Sequence, residues 1–287
     1  MINKVETYFV NNIHKVLNEG CWDENPRAKY KDGKPAHSKF ITQVYEEYDL
    51  SKGEFPITEL RPIAITKGIG ELLWIYSDQT SDLTVLEDKY NVRWWRDWEV
   101  EGLNSIGRRY GDTIKRYDLM NKLLDGLSND PFGRSHIISL WQEEDLKHPA
   151  KLNPCAFQTM WSVRKVEGKY YIDMTLVQRS SDAGVANHIN KMQYVALQMM
   201  VAKHCSYEVG KFAHIVQNFH IYDSHLDEAK ELIRRYDKVL TTVVDQPKPK
   251  LILNVTDGTN FYDIKVDDFE LIDYEPIRPQ LTFALGI

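Results

Sequence analysis

The sequence contains few cysteines and no long apolar run. Its three cysteines, Cys21, Cys155 and Cys205, are odd in number and form no CxxC pair. A disulfide framework or a structural zinc site is therefore not expected, and we predict reduced thiols and no metal. No run of about 18 apolar residues is present, and the chain opens without an apolar targeting segment. We predict a cytoplasmic protein with no membrane partner, and a phage-encoded protein in its host's cytoplasm would fit equally.

An excess of positive charge is also lacking. The 36 Lys and Arg residues are outnumbered by 42 Asp and Glu residues, which gives a formal net charge of -6. This balance argues against nucleic acid as a partner, because nonspecific binding depends on neutralising phosphates. Apolar residues make up 43% and charged residues 27% of the chain. These proportions are typical of a globular protein, and without a repeat or linker we predict a single domain over residues 1–287.

Two hydrophobic periods predict helices and strands that interleave. Apolar residues at three- and four-residue spacing predict helices over 5–17, ended by Gly20, over 64–76 and over 189–200. A further helix is predicted to begin with a capping box of Ser224 and Asp227. Alternation and β-branched residues predict strands over 156–164, 169–180 and 212–222, and the segment 21–35 has loop composition. Because the order is not a strict βαβ rhythm, the predicted fold class is α+β.

One cysteine stands out as a candidate nucleophile. Cys155 follows a proline and precedes a predicted strand, and the next strand ends in Gln178-Arg179-Ser180-Ser181-Asp182. Two adjacent strands would place this cation and these hydroxyls beside Cys155, where Arg179 would bind a phosphate and favour the thiolate. The alternatives are a small buried cysteine and a surface salt bridge between Arg179 and Asp182.

Two aromatic groupings are further candidates. His220 and Tyr222 share one face of a predicted strand, which suits recognition of a hydroxyl group, although a structural histidine is the alternative. No cysteine or acid completes a metal site around them. The segment 92–98 carries three of the seven tryptophans and would form core, an interface, or a wall that stacks on a flat cofactor.

Taken together, short motifs along the whole chain resemble the thymidylate synthase family. Their order and spacing, rather than any one of them, carry the resemblance. They are Phe55-Pro56-Ile57-Thr58, Glu71-Leu72-Leu73-Trp74, Tyr110-Gly111, Pro154-Cys155, Gln178-Arg179-Ser180-Ser181-Asp182, Asn190, His220-Ile221-Tyr222 and Val266-Asp267-Asp268-Phe269.

The resemblance implies a fold, two substrates and a partner. The implied fold is a single domain with a large mixed β-sheet flanked by helices, and the sheets of two copies pack back to back in a homodimer. The implied reaction transfers a one-carbon unit from 5,10-methylenetetrahydrofolate to C5 of dUMP through a covalent adduct of Cys155. A catalytically inactive, nucleotide-binding relative is a further alternative.

The resemblance also implies roles for individual residues. Cys155 would be the nucleophile, and Glu71, Asn190 and Tyr110 would organise water and protons around the pyrimidine. The remaining roles are binding roles. The phosphate would be held by Arg27, Arg179, Ser180 and the partner's Arg134. The ribose would be held by His220 and Tyr222. The folate would be held by Asp182, Trp95, Trp98 and the C-terminal Ile287.

Asn190 and several departures from the family bear on substrate and product. An amide offers both a donor and an acceptor to uracil, whereas a carboxylate only accepts, so Asn190 favours dUMP over dCMP. The departures from the family lie where folate, lid or phosphate would be held. They are Ser135, Gln217-Asn218, Arg96, Ala156 and the segment 185–190.

Because these departures would loosen water exclusion, we expect a hydroxymethylase, in which water captures the methylene intermediate. The alternative is a thymidylate synthase, in which hydride captures it and dihydrofolate is released. Trp95 and the apolar tail favour this alternative.

Overall fold

The computed structural model describes residues 3–242 and 247–287, which form helices packed on a mixed sheet. The helices are α1 Lys4–Glu19, α2 Ile65–Tyr76, α3 Leu83–Tyr90, α4 Gly111–Arg116, α5 Leu119–Asn129, α6 Glu143–Leu146, α7 Ala186–Cys205 and α8 Leu226–Thr242. The strands are β1 Cys21–Trp22, β2 Ser38–Asp49, β3 Ile137–Ser139, β4 Ala156–Val166, β5 Lys169–Gln178, β6 Ser181–Asp182, β7 Glu208–Tyr222, β8 Lys250–Leu253 and β9 Phe269–Ile272. The expected α+β class is confirmed.

The large sheet is mixed, and its strands follow the order β1-β2-β7-β5-β4-β3. Strand β7 pairs antiparallel with β2 and parallel with β5, and β6 continues the parallel pairing along the far end of β7. β5 and β4 form an antiparallel pair whose register shifts between Ala156 and Gln158. Strands β8 and β9 form a separate two-stranded sheet.

Helices cover one face of the large sheet. Alternate residues of its central strands are buried there, such as Val44 and Tyr48 on β2 and Phe212 and Val216 on β7. Helices α2 and α7 pack on each other and on the core that β4 and β5 contribute, and α1 and α8 pack over β2 and β7. The other set of alternate residues, including Thr175 on β5, is only half-buried. The described ranges therefore leave the second face of this sheet incompletely covered.

The predicted helices and strands are present, and most are longer in the structure than the residue ranges predicted from the sequence. The predicted helix over 189–200 is the centre of the 20-residue α7, and the strand over 212–222 begins four residues earlier. Gly20 does end α1, but its backbone is extended, not left-handed. A Cβ there would lie 2.5 Å from the Val16 carbonyl oxygen, so close approach explains the glycine.

The predicted capping box is wrong. Ser224 lies inside a 3₁₀ turn, Asp223–His225, that leads directly into α8. Its backbone N–H donates to Asp223 Oδ1 across 2.9 Å, so this group is satisfied by the preceding residue. The chain enters α8 already turning, and the side chain of Ser224 is not needed as a cap.

Within the two described ranges, none of the helices combines the length and apolar character needed to cross a bilayer.

Candidate active site

A cavity of about 470 Å³ opens where β5, β6 and β7 meet the start of α7 and the C-terminal tail. Its lining includes every predicted site residue except Arg134 and Ile287. The lining residues are Arg27, Ala28, Glu71, Trp94, Trp95, Trp98, Tyr110, Leu152, Cys155, Arg179, Ser180, Ser181, Asp182, Val185, Ala186, Ile189, Asn190, His220, Tyr222, Phe283, Leu285 and Gly286.

Strand pairing brings Cys155 and Arg179 together. Ala156, the first residue of β4, pairs with Gln178, the last residue of β5, so the residues flanking them are neighbours. The Arg179 N–H donates to the Cys155 carbonyl across 2.9 Å, and Arg179 Nη2 lies 3.3 Å from Cys155 Sγ. The predicted juxtaposition of this thiol and this cation is therefore confirmed.

The protonation of Cys155 depends on opposing influences. Burial raises the pKa of its thiol, while the positive charges of Arg179 and Arg27 lower it. Burial has the larger effect, so the resting side chain is a thiol with a counter-charge already beside it. Arg179 is thus placed to stabilise the thiolate when it forms.

Tyr110 fixes the backbone of the candidate nucleophile. Its hydroxyl accepts a hydrogen bond from the Cys155 N–H across 3.1 Å. Tyr110 precedes α4 and has a φ of 52°, in the left-handed region that is costly for a tyrosine. Burial raises the pKa of its hydroxyl well above the ordinary value, so it remains a phenol. A strained backbone therefore holds a neutral hydroxyl beside Cys155.

Two cations and a hydroxyl line one end of the cavity. Arg27 is exposed in the loop after β1, and its Nη1 donates to the Lys151 carbonyl across 2.9 Å. Ser180 directly follows Arg179 and also faces the cavity. Arg27, Arg179 and Ser180 together provide donors for a bound anion.

Arg134 lies elsewhere. It is exposed in the turn before β3 and, within the described part of the chain, is absent from the cavity lining. The structure of one chain therefore does not bring it to its own site.

His220 and Tyr222 lie near the end of β7 and share a face, as the alternation predicts. Their ring centroids are 5.1 Å apart. His220 Nδ1 lies 3.0 Å from Asn218 Oδ1, and burial lowers the pKa of the ring, which keeps it neutral. Burial also raises the pKa of the Tyr222 hydroxyl. The pair therefore presents neutral hydrogen-bonding groups.

Glu71 is the acid that the sequence places in the apolar part of α2. It is 6% exposed, and burial raises the pKa of its carboxyl. The indole N–H of Trp94 donates to Glu71 Oε2. A carboxyl group with a raised pKa in a cavity is suited to proton transfer.

Trp94 belongs to the tryptophan segment 92–98, in which the sequence predicts individual site roles for Trp95 and Trp98 and none for Trp94. Trp95 is 7% exposed and packs edge-on against Tyr110, with ring centroids 5.2 Å apart, and against Trp98 at 5.6 Å. All three tryptophans line the cavity. The signal that could have identified Trp94 is the buried Glu71, because a buried acid needs a donor and an indole N–H is one.

Asn190 projects from the first half of α7 with both ends of its amide engaged. Gln178 Nε2 donates to Asn190 Oδ1 across 3.1 Å, and Asn190 Nδ2 donates to Gln193 Oε1 across 2.9 Å. An amide oxygen accepts two hydrogen bonds and an amide nitrogen donates two, so one of each remains for a ligand. The sequence does not predict Gln193 as a site residue, because a glutamine on a buried helix carries no distinctive signal.

Asp182 and the C-terminal tail also border the cavity. Asp182 Oδ1 accepts a hydrogen bond from the Gly184 N–H across 2.8 Å. The tail lies across the cavity, and Ile287 exchanges two backbone hydrogen bonds of 2.8 Å with Lys29. A Cβ on Gly286 would lie 2.8 Å from the Tyr222 ring, so only glycine permits this approach. Ile287 itself is outside the lining and anchors the tail.

In chemical terms, the cavity combines a nucleophile, cations and an apolar wall. Cys155 has Arg179 as counter-charge, Asn190 can read a planar ring edge, and Glu71 and Tyr110 can hold protons or water. The tryptophans offer flat surfaces for a second, aromatic molecule. The arrangement suits covalent catalysis on an anionic, ring-containing substrate.

Comparison with known proteins agrees with this chemistry. A family model described as thymidylate synthase matches residues 7–286. The chain is 53% identical over 286 residues to a protein named thymidylate synthase from Streptococcus suis, and 54% identical to one from Streptococcus pneumoniae; each match covers 100% of both chains. The solved structure of thermostable thymidylate synthase A from Bacillus subtilis is similar, with a TM-score of 0.85, 29% identity and coverage of 98% of this chain and 99% of that one. With this match across its length, and with Cys155 and Arg179 meeting in its cavity, the chain belongs to the thymidylate synthase family, whose members transfer a one-carbon unit to C5 of a pyrimidine nucleotide.

Proposed function

We propose that this protein is a thymidylate synthase, which converts dUMP and 5,10-methylenetetrahydrofolate to dTMP and dihydrofolate. The observation that carries the proposal is the contact between Cys155 Sγ and Arg179 Nη2, 3.3 Å apart in a cavity that Asn190 also lines. This cavity combines the nucleophile Cys155 with a cation that can bind the phosphate and an amide that can bind the edge of the uracil ring.

The nucleotide would lie with its phosphate at the cationic end. Arg27, Arg179 and Ser180 would bind the phosphate, and His220 with Tyr222 would bind the ribose hydroxyl. Asn190 has one free donor and one free acceptor, which match O4 and N3–H of uracil. This pattern favours dUMP over dCMP.

Each step on the nucleotide has a residue to perform it. The Cys155 thiolate would bond to C6 of dUMP, and the electron pair would move to C5 and O4, where the Asn190 donor stabilises it. C5 would then attack the one-carbon unit. Glu71 and Tyr110 would hold the water that removes the proton from C5. The bond between the one-carbon unit and the folate nitrogen would then break, which leaves a methylene group on C5. In the last step hydride from the folate would add to this methylene, the C6–sulfur bond would break, and Cys155 would leave as a thiolate.

The folate co-substrate would supply the one-carbon unit and, on the synthase route, the hydride. The residues present fit such a molecule, because Trp94, Trp95 and Trp98 form an apolar wall in the same cavity as Asp182. Asp182 would accept hydrogen bonds from the heterocycle.

The comparisons support hydride capture rather than the water capture that the sequence alone predicts. The streptococcal relatives are both named thymidylate synthase and match end to end. The tail over the cavity supports the same route, since the Ile287–Lys29 backbone pair and Gly286 against Tyr222 limit access by water. Hydroxymethylation is therefore retained only as an outcome of the test.

A homodimer is part of the proposal. The second face of the large sheet is only half-buried in the single chain, and such a face suits packing against another copy. Arg134 is exposed at one side of the molecule, free of its own cavity. The partner's Arg134 would then complete the phosphate site. Sedimentation should give a dimer, and Arg134→Ala should raise KM for dUMP without changing the sedimentation coefficient.

The test is to identify the product. The protein is incubated with dUMP and methylenetetrahydrofolate, dihydrofolate is followed by absorbance, and the nucleotide is weighed by mass spectrometry. We expect dihydrofolate and dTMP in equal amounts. The mass of 5-hydroxymethyl-dUMP without dihydrofolate would establish the hydroxymethylase, and binding of dUMP with no product would indicate an inactive relative.

The matched control is Cys155→Ser. It should abolish turnover and leave dUMP binding measurable, because the phosphate, ribose and uracil contacts remain. Unchanged activity in this variant would remove Cys155 from the mechanism.

A further inference from the structure

Glu46, Lys191 and His214 are fully buried behind Asn190, and the proposed reaction uses none of them. Glu46 on β2 pairs directly with His214 on β7 across the sheet, and Lys191 on α7 reaches the same point. Lys191 Nζ lies 2.9 Å from Glu46 Oε2, and the Tyr48 hydroxyl donates to the same oxygen across 2.6 Å. Asn12 Nδ2 donates to Glu46 Oε1 across 3.1 Å. A buried ion pair is costly to form, so its neighbours are of interest.

A continuous row of side-chain hydrogen bonds joins this group to Asn190. The row crosses from α2 through α7 and β5 to β7. It comprises Gln193 Nε2 to the Gly68 carbonyl at 3.1 Å, Asn190 Nδ2 to Gln193 Oε1 at 2.9 Å, Gln178 Nε2 to Asn190 Oδ1 at 3.1 Å, and Gln178 Oε1 with His214 Nε2 at 2.5 Å.

The direction of every bond can be read from the Gly68 end of the row, and His214 holds the other end. The Gly68 carbonyl can only accept, so Gln193 must present its nitrogen there and its oxygen to Asn190. Asn190 must then donate to Gln193 and present its oxygen to Gln178. Gln178 donates in turn, and its oxygen is left facing His214. The row is complete only if His214 carries its proton on Nε2.

The charged group at the other end permits this tautomer. His214 Nδ1 lies 4.0 Å from Glu46 Oε2 and, among the described residues, has no hydrogen-bond partner. A lone carboxylate would draw the histidine proton to Nδ1, but Lys191, Tyr48 and Asn12 already satisfy Glu46. Burial lowers the pKa of His214 to about 3, so the ring is neutral and has one proton to place. That proton is free to remain on Nε2.

We propose that His214 is a positioning residue. It holds Gln178, and through Gln178 the carboxamide of Asn190, in the orientation that forms hydrogen bonds with O4 and N3–H of uracil. This inference rests on the proposed function, since it assigns Asn190 to the pyrimidine. A reversed carboxamide would present an acceptor where O4 lies and a donor where N3–H lies, which is the pattern that cytosine matches. His214 therefore contributes to selection between the two pyrimidines without touching either.

Two substitutions at this position separate positioning from packing. His214→Leu removes the donor and leaves the Gln178 oxygen unpaired, whereas His214→Gln retains a nitrogen donor. Gln198→Leu is the matched control, because Gln198 is equally buried on α7 but, among the residues that the structure describes, bonds only to the carbonyls of Ile172 and Lys211. Thermal melting verifies that each variant folds.

The measurement is the ratio of the dissociation constants for dUMP and dCMP, together with KM and kcat for dUMP. His214→Leu should reduce the preference for dUMP about tenfold, the scale of one lost buried hydrogen bond, and leave affinity for deoxyribose 5-phosphate unchanged. His214→Gln and Gln198→Leu should keep the parental preference. An unchanged preference in His214→Leu, or an equal loss in Gln198→Leu, would overturn the proposal.

A second measurement needs no substitution and covers the case in which His214→Leu does not fold. Nitrogen-15 NMR of the unliganded protein should show His214 as the neutral Nε2–H tautomer from about pH 5 to 8, a range in which an ordinary histidine titrates. An Nδ1–H tautomer, or titration in this range, would overturn the proposal. Failure of the parent protein to bind dUMP would instead count against the proposed function, and the NMR result would still decide the state of His214.

Discussion

The Nη2 atom of Arg179 lies 3.3 Å from the Sγ atom of Cys155, and the rest of the guanidinium is held in place by the backbone. Its Nε donates to the Pro154 carbonyl across 3.0 Å, and Nη2 also donates to the Asn153 carbonyl across 2.8 Å. The same short segment thus carries both the thiol and the acceptors that fix its counter-charge. The cation does not have to move to act on the sulfur, which is the arrangement expected for a preorganised site.

Arg179→Gln should make Cys155 less reactive. Removing the guanidinium removes an influence that lowers the pKa of the thiol, so burial raises that pKa further and less thiolate is present at neutral pH. We expect iodoacetamide to alkylate Cys155 several-fold more slowly, as measured by peptide mass spectrometry. Exposed Cys21 serves as the internal reference and should react at an unchanged rate.

The matched variant is Arg179→Lys. A lysine keeps the positive charge but loses the planar fork that bonds to two carbonyls, so its alkylation rate should lie between those of the parent and Arg179→Gln. Equal rates in all three proteins would show that Arg179 does not influence the thiol.

Asn190→Asp should reverse the pyrimidine preference. A carboxylate cannot donate to O4 of uracil, but it can accept from the cytosine amino group. We expect kcat/KM for dUMP to fall at least about a hundredfold, because a buried polar contact in the site is left unpaired, and binding of dCMP to strengthen. Kinetics with both nucleotides provide the measurement. Asn187→Asp on the same helix is the control, since Asn187 bonds to Ser181 and does not line the cavity.

Residues at strand ends were the part of the site that the sequence could predict. Cys155 and Arg179 each adjoin a run with period two, and antiparallel pairing brings the ends of neighbouring strands together. His220 and Tyr222 were equally accessible to prediction, because alternation alone places them on one face. In these cases a local pattern fixes the relative positions of side chains.

Contacts between distant elements were not predictable in this way. Trp94 bonds to Glu71 because a 3₁₀ turn over Trp94–Trp98 brings its indole to α2. The link from His214 to Asn190 requires the register of β7 against β5 and the rotation of α7 over both. Neither rotation nor register is encoded in a single segment, since both result from packing of the whole core.

Deleting Ile287 should change the product. The residue holds the tail by two backbone hydrogen bonds to Lys29, and their loss should release the tail and admit water to the cavity. We expect turnover to fall by about tenfold or more and 5-hydroxymethyl-dUMP to appear beside dTMP, as resolved by mass spectrometry. Ile287→Val keeps both backbone bonds and should retain the parental product. If the deletion variant gave the same ratio of 5-hydroxymethyl-dUMP to dTMP as the parent protein, this would show that the tail does not exclude water.

Glu6 should make the protein less stable as pH rises. This residue is 4% exposed in α1, its Oε1 accepts a hydrogen bond from the Glu59 N–H across 2.8 Å, and burial raises the pKa of its carboxyl to about 7. Between the ordinary value of 4.5 and about 7, the folded protein holds a proton that the unfolded chain has released. The free energy of unfolding therefore falls by up to about 1.4 kcal/mol per pH unit across this window and levels off above it.

Glu6→Gln tests this directly, because glutamine keeps an acceptor oxygen for the Glu59 N–H and cannot ionise. Urea unfolding at a series of pH values should show that the decline in stability between pH 4.5 and 7 is largely absent in the variant. The variant should consequently be more stable than the parent above that window, by up to about 3 kcal/mol. Glu19→Gln, at an exposed position of the same helix, should leave the pH profile as it is. If Glu6→Gln and the parent declined in parallel, another buried acid, such as the half-buried Glu59, would be the group that titrates.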